Sequence, residues 1–295
     1  MNFPRISLVT PCYNHEKYIG RTIESVISQG YPNLQYIVIN DGSTDNSSKI
    51  IQRYLDQIDL FLDLEGHRPS PVWGLNQGFQ HVDGEILGWI SSDDVLLPKS
   101  LFTVAKAFRD VPNAQWVTGL ASTINERDEV VNCKTRFKQR FDFLIGQWQV
   151  IQQESTYFCA ELWQKAGGQF NEDFLQAFDT ELWTRFFEHS ELHHLQAPLG
   201  AFRKGQQSRS TRNIEEFNSY NDRAILRMRE KLLNQVFLPT QVYKMLRNPF
   251  IRKILASFPN NWLLKLLPKF SEPLIEYNFI LDSWQVSRHS SFRRI

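Results

Sequence analysis

Short, nearly continuous apolar runs that stop at polar turns, each followed by a helix-spaced segment, constrain this chain more than any other feature. Ile6 to Val9 ends at Thr10-Pro11, Leu34 to Ile39 ends at NDGSTD, and Ile86 to Ile90 ends at SSDD. Between the first two, Ile19, Ile23, Val26 and Ile27 recur at helical spacing, with Asn14 or His15 at the entry and Gly30 just past the end. Ser47 to Leu55 is again helical, Leu60 to Leu64 is a further apolar run, and helices are expected near Leu75 to Gln80 and from Lys99 to Phe108. Alternating strands and helices with short connections predict βαβ units, hence an α/β fold with a mostly parallel sheet flanked by helices.

The second half reads differently. AQWVTGLASTINERDEVVNCKT holds two short β runs around a polar turn, a helix is expected near Phe178 to Glu188, and Leu195 to Arg203 reads as a last strand. After Asn213 helix formers dominate, and Gln241 to Phe270 carries six Lys or Arg and no Asp or Glu, interleaved with aromatic residues. The expected organisation is one domain over 1–212 and a helical C-terminal extension over 213–295.

A net charge of +1 gives no global signal for nucleic acid. Cys12, Cys133 and Cys159 are an odd, widely spaced set without a CxxC pair, which argues against a disulfide framework and for a reducing compartment. The apolar run before Pro11 is too short for a signal-peptide core, and no window reaches the roughly 18 apolar residues of a membrane span. A cytoplasmic protein is expected.

In an open parallel sheet, ligands bind outside the carboxyl ends of the strands. TPCYN, NDGSTD and SSDD fall at three such ends and therefore converge. Adjacent carboxylates at Asp93 and Asp94 repel one another, so a cation is expected beside them, and a hard divalent metal shared with phosphates suits such a pair. Strand alternation would point the two to opposite sides, one toward a ligand hydroxyl and one toward the cation; an ordinary surface turn is the plain alternative. Asp41 in NDGS suits a ring N–H of a base, with Gly42 letting the backbone come close, and equally suits a turn. Neither GxxxxGK nor GxGxxG occurs.

Taken together, SLVTPCYNHEKYIGRTIESVISQGYPNLQYIVINDGSTDNS, GLNQGFQHVDGEILGWISSDDVLLP and QESTYFCAELWQKAGGQFNEDFLQAFDTELWTRF resemble the family 2 glycosyltransferases of GT-A fold, over roughly residues 5 to 210. That resemblance implies an inverting, metal-dependent transfer of a sugar from a nucleotide diphosphate donor, a UDP-sugar in the first instance, to an acceptor hydroxyl, using Mn²⁺ or Mg²⁺. It implies a nucleotide half to about Thr118 and an acceptor half to about Arg212. By motif, Thr10, Pro11 and Tyr13 line the nucleoside pocket and Asp41 reads the base. Asp93 sits near the ribose, Asp94 holds the metal, and Asp179 is the catalytic base, with Glu181 a weaker candidate and an N-cap role for Asp179 the structural alternative.

The chain also departs from the family pattern. Where relatives read QPATFWRR it has QESTYFCA, so Cys159 and Ala160 replace two arginines, and FRKGQQS puts Gly205 where a histidine is usual. Either Arg203, Lys204 or Arg209 compensates by binding the phosphates directly or the metal is held less tightly; Arg68 reads first as a solvated loop arginine, with phosphate binding as its alternative. His193-His194 reads as edge-strand surface rather than a metal site, and Trp163 and Trp183 read as core, with sugar stacking as the alternative for these and for Trp148. The basic C-terminal segment is either a peripheral membrane element at a lipid-linked or glycan acceptor, or a solvated helical cover. The rival functions are a non-catalytic sugar-nucleotide or glycan binding protein, and a sugar nucleotidyltransferase, which would want a Gly-rich loop that TPCYNHEKY lacks. No nucleic acid partner is expected.

Overall fold

The computed structural model describes residues 3–66, 70–135, 138–144, 150–205, 214–233 and 271–290. Strand β1 (Ile6–Cys12) lies between β2 (Leu34–Asp41) and β4 (Ile86–Trp89), with β3 (Leu60–Leu64) outside β2, and all four are parallel. Helix α1 (Ile19–Ile27) crosses from β1 to β2, and Ile19, Thr22, Ile23 and Val26 form its buried stripe. Gly30 follows in a left-handed conformation, as a chain leaving a helix requires.

The other connections are α2 (Ser47–Ile51), α3 (Val72–Phe79) and α4 (Ser100–Asp110), the last preceded by the two-residue strand β5 (Val95–Leu96). The second half supplies the β6 (Trp116–Ile124) and β7 (Val130–Lys134) hairpin, α5 (Arg140–Leu144), a 3-10 turn at Gln153–Ser155, β8 (Thr156–Cys159), α6 (Ala160–Lys165), α7 (Phe178–His189) and β9 (His193–Arg203). Among the described residues the sheet runs β11-β10-β9-β6-β8-β4-β1-β2-β3. Only β8 and β11 on this path oppose the rest, so the sheet is mostly parallel.

Successive side chains of the central strands enter two different cores. Ile6, Leu8, Tyr36 and Val38 pack with α1 and α4, whereas Val9, Ile37, Ile39, Trp89 and Trp116 pack with α3, α6 and α7. Burial on both faces is why these strands read as continuous apolar runs. Trp183 stacks on Trp89 and Trp116 with ring centroids 5.3 and 5.6 Å away, and with Trp163 it is core, as expected.

The expected helical extension is corrected in part. Helix α8 (Ile214–Leu233) is present, but it buries Ile225, Met228 and Leu232 in the same core as α7 rather than standing apart. Beyond it, β10 (Ser271–Asn278) and β11 (Ser283–Ser290) form a hairpin, and β10 continues the sheet beside β9. Leu274 and Ile275, neighbours in sequence and so on opposite faces, are both fully buried, which a strand between two covered faces allows. The Asn278 side chain caps the turn by accepting from the N–H groups of Ile280 and Leu281 at 3.0 and 3.1 Å. The basic segment 241–270 lies outside the described residues.

Candidate functional site

The carboxyl ends of β1, β2 and β4 open into a cavity of about 410 Å³. Pro11, Tyr13, Asp41, Asp93, Asp94 and Asp179 all line it, drawn from four separate parts of the chain. Thr10 does not line it. It follows Leu8 on the strand face turned toward α1, where its hydroxyl lies 3.1 Å from that of Tyr36. Asp41 is buried, with its carboxylate against Gly74 of α3.

Strand alternation does not govern Asp93 and Asp94, because β4 ends at Trp89 and the chain turns at Ser91, whose carbonyl accepts from the Asp94 N–H at 3.1 Å. Both carboxylates therefore reach the cavity. Asp94 is held on both oxygens: Oδ1 accepts from the Arg203 backbone N–H at 2.8 Å and Oδ2 from Gln153 Nε2 at 3.2 Å. Asp93 is more open, 4.0 Å from His15 Nδ1, and His15 is in turn 2.7 Å from the Ser92 hydroxyl. Burial, then the negative charges of Asp93 and Glu154, hold the Asp94 carboxyl well above the usual range.

Glu154 is the residue that sequence reasoning missed. It is 2% exposed, lines the cavity, and is pushed up to about 8, first by burial and then by the charges of Asp93 and Asp179 against the opposing effects of its own N–H and Lys138. Its stretch, IQQESTYF, is an ordinary mixture of polar and apolar residues with one charge, and nothing in it marks Glu154 as part of a site. Buried Lys138 acts electrostatically on both Glu154 and Asp179.

Asp179 is half-buried in the first turn of α7, where the positive end of the helix favours a carboxylate. It is not the N-cap: that position is Ala177, and the Asp179 carboxylate accepts from the adjacent Thr180 N–H at 2.7 Å. Burial raises it to about 6, opposed by the N–H groups of Thr180 and Asp179 itself and by Lys138. Glu181 is instead committed to Arg185, four residues on, at 2.8 Å.

Several departures from the family pattern are resolved by position. Cys159 pairs with Ile86, at the end of β4 away from the cavity, and Ala160 follows it there, so neither borders the site. Arg203 is buried, with Nε donating to the Asp93 carbonyl at 2.7 Å, an Nη to the Asn125 carbonyl at 2.9 Å, and the other Nη 2.5 Å from Asp128. It braces the carboxylate turn and does not line the cavity. Gly205 lies beside the Glu126 carboxylate, Lys204 is exposed, and Arg68, Trp148 and Arg209 lie outside the described residues. His193-His194 is not edge surface: β10 covers that edge, His194 is buried, and burial lowers it to about 4.

Among the described residues no Lys or Arg lines the cavity, whereas five carboxylates do: Asp41, Asp93, Asp94, Glu154 and Asp179. These five carboxylates make the described wall electronegative, so an anionic diphosphate would be repelled by Asp93 and Asp94 unless a cation accompanied it. No three His, Cys, Asp or Glu side chains among the described residues form a metal cage, so a metal here would take its remaining ligands from the phosphates and water.

Residues 7–163 match the family model described as glycosyl transferase family 2. An uncharacterized glycosyltransferase of Rickettsia prowazekii is 26% identical over 64% of this chain and 61% of its own length. A poly-beta-1,6-N-acetyl-D-glucosamine synthase of Staphylococcus epidermidis is 30% identical over 56% of this chain and 37% of its own length. The chain thus spans about three fifths or less of these curated relatives. Among solved structures, S. aureus TarS 1-349 in complex with UDP-GlcNAc aligns over 90% of this chain and 76% of its own, with a TM-score of 0.62 and 17% identity. A Pyrobaculum calidifontis mannosyltransferase in complex with GDP-Man and Mn²⁺ aligns over 90% and 79%, with a TM-score of 0.55 and 19% identity.

Proposed function

Because the chain belongs to glycosyl transferase family 2 and has the GT-A fold, we propose that it moves a sugar from a nucleoside diphosphate donor, a UDP-sugar, to an acceptor hydroxyl with inversion. The observation that carries this reading is the convergence of Asp93, Asp94 and Asp179 on one cavity at the carboxyl ends of the parallel strands. Support for the donor comes from TarS, which binds UDP-GlcNAc, and from the poly-N-acetylglucosamine synthase. The name of the synthase favours an acceptor in surface polysaccharide or another glycan.

In this reading Pro11, Tyr13 and Asp41 hold the nucleoside, Asp93 takes the ribose side, and Asp94 holds Mn²⁺ or Mg²⁺. When bound, the metal neutralises the diphosphate and stabilises it as leaving group. Asp179 accepts the proton of the acceptor hydroxyl. The oxygen bonds to the anomeric carbon on the face opposite the diphosphate, which departs with the electron pair of the broken C–O bond. A carboxyl near 6 is mostly ionised at neutral pH and is therefore ready to take that proton. Residues 1–118 serve the nucleotide and the remainder to about 212 serve the acceptor. No helix among the described residues is long and apolar enough to cross a membrane, and peripheral contact through segment 241–270 would bring a lipid-linked acceptor within reach.

Calorimetric titration of nucleoside diphosphates with and without Mn²⁺ tests the donor site. Metal-dependent UDP binding by the wild type that is lost in Asp94→Ala is expected. Equal binding by both proteins would remove Asp94 from the site.

A further inference from the structure

We propose that Glu154 is a specificity-determining residue that hydrogen-bonds hydroxyls of the sugar being transferred, an inference that rests on the glycosyl transfer proposed above. Like Asp41 it is a buried carboxylate of the cavity wall with one oxygen left without a hydrogen-bond partner among the described residues, but Asp41 lies against α3 whereas Glu154 lies in the turn before β8. The backbone around it is fixed from both sides: Gln152 Nε2 donates to the Ser122 carbonyl at 3.0 Å, and the Ser155 hydroxyl donates to the Gly200 carbonyl at 2.9 Å. The Thr156 hydroxyl lies 2.8 Å from the Gln152 carbonyl and 2.9 Å from the Thr118 hydroxyl. Gly200 of β9 lets this turn sit directly on the sheet, since a Cβ there would press into the Glu154 carbonyl.

Within so rigid a frame, Glu154 Oε1 is buried and has no hydrogen-bond partner among the described residues. A buried carboxyl oxygen left unpaired costs free energy, which Lys138 offsets only electrostatically and no hydrogen bond among the described residues relieves. Hydroxyl groups, which both donate and accept, are the ligand chemistry that relieves it whichever protonation state the carboxyl takes. Glu154 shares the cavity wall with Asp93 and Asp94, assigned above to the leaving-group end, and with Asp179, assigned to the attacking end. The transferred ring must span that interval in an inverting displacement, so a wall carboxyl that interacts with both ends is placed to meet the ring rather than the nucleoside.

A site built to hydrogen-bond a hydroxyl rejects a donor whose hydroxyl is missing or inverted more strongly than an apolar wall could. The test compares wild type, Glu154→Gln and Glu154→Ala for binding of UDP and of UDP-Glc, UDP-Gal, UDP-GlcNAc and UDP-GalNAc, with Mn²⁺ present and folding checked by thermal melts. UDP should bind all three proteins within about twofold. The preferred UDP-sugar should bind Glu154→Ala about 10–100-fold more weakly, with discrimination between C4 epimers flattened, and Glu154→Gln should fall between. Unchanged sugar affinity and epimer preference in Glu154→Ala would overturn the inference. Loss of UDP itself in both variants would also overturn it, by making Glu154 part of the nucleotide or metal site. Failure of the wild type to bind UDP at all would instead strike the proposed function, and this inference with it.

Discussion

The backbone N–H of Arg203 donates to Asp94 Oδ1 at 2.8 Å while its side chain donates to the Asp93 carbonyl at 2.7 Å, so one residue at the end of β9 grips both members of the carboxylate pair. The two segments are more than a hundred residues apart in sequence, and the sheet order is what brings them together. Arg203→Ala should leave the Asp128 carboxylate without its buried partner and free the turn, lowering stability by about 2–4 kcal/mol. Donor affinity should drop about tenfold. Urea denaturation and UDP titration measure the two effects, and an unchanged midpoint would show that the brace is dispensable.

Asp179→Asn should lower kcat by about 10²–10⁴-fold with donor affinity intact, since it removes proton acceptance but little volume. The wild-type rate should rise with pH on an acidic limb near 6, where Asp179 loses its proton, and that limb should vanish from the residual activity of the variant. A pH–rate profile of both proteins decides it.

Glu154 gives the protein without nucleotide or metal a pH-dependent stability. Its folded value, about 8, exceeds the ordinary glutamate value, so the folded state holds this proton more tightly than the unfolded chain. The resulting stabilisation is fully present below the unfolded value and is lost as pH rises toward 8. Thermal melts from pH 5 to 8 should show Glu154→Gln gaining on the wild type as pH rises. Parallel curves would contradict the assignment.

Gly200→Ala should destabilise by about 1–3 kcal/mol, because the added methyl meets backbone of Glu154 with its carbonyl carbon only 2.7 Å away. Displacing the turn should also cost sugar-donor turnover more than UDP affinity. Chemical denaturation alongside both assays tests it.

Truncation after residue 212 should abolish cooperative folding rather than yield a trimmed catalytic domain. It strips Ile225, Met228 and Leu232 from the core, each contributing about 1.5–3 kcal/mol, and uncovers β9. A sharp melting transition in the truncated protein would refute this. Charge reversal within 241–270 is accordingly the cleaner probe of vesicle binding.

The parallel half of the fold was legible in sequence because each strand is buried on both faces and so reads as an unbroken apolar run, as Leu8-Val9 and Ile37-Val38-Ile39 show. Asp41, Asp93 and Asp94 stood out because they end or follow strands that share one end, whereas Asp179, on a helix, was suggested only by the resemblance; all four line the cavity. Glu154 did not stand out, because nothing local to a 3-10 turn announces that its neighbours in space will be two other carboxylates. The orientation of Asp93 and Asp94 was misjudged because β4 stops sooner than its apolar pattern does. Strands β10 and β11 were hidden beside a long helix-forming stretch, and their Asn-capped turn was the overlooked signal.

The pairing of β10 with β9 joins Leu274 to His194 and Ile275 to Leu195, across about eighty residues of intervening chain. During synthesis the βαβ units around β1 can assemble as soon as they leave the ribosome, since their contacts are close in sequence. The far side of β9 cannot. Until residue 275 has emerged, the part of that edge at His194 and Leu195 presents unpaired backbone donors and acceptors to other nascent chains, while β5 already pairs with Gly200 and Ala201. The interval between translation of β9 and of β10 is therefore when this protein is most vulnerable to strand-mediated aggregation, and slow codons or a chaperone would matter most there.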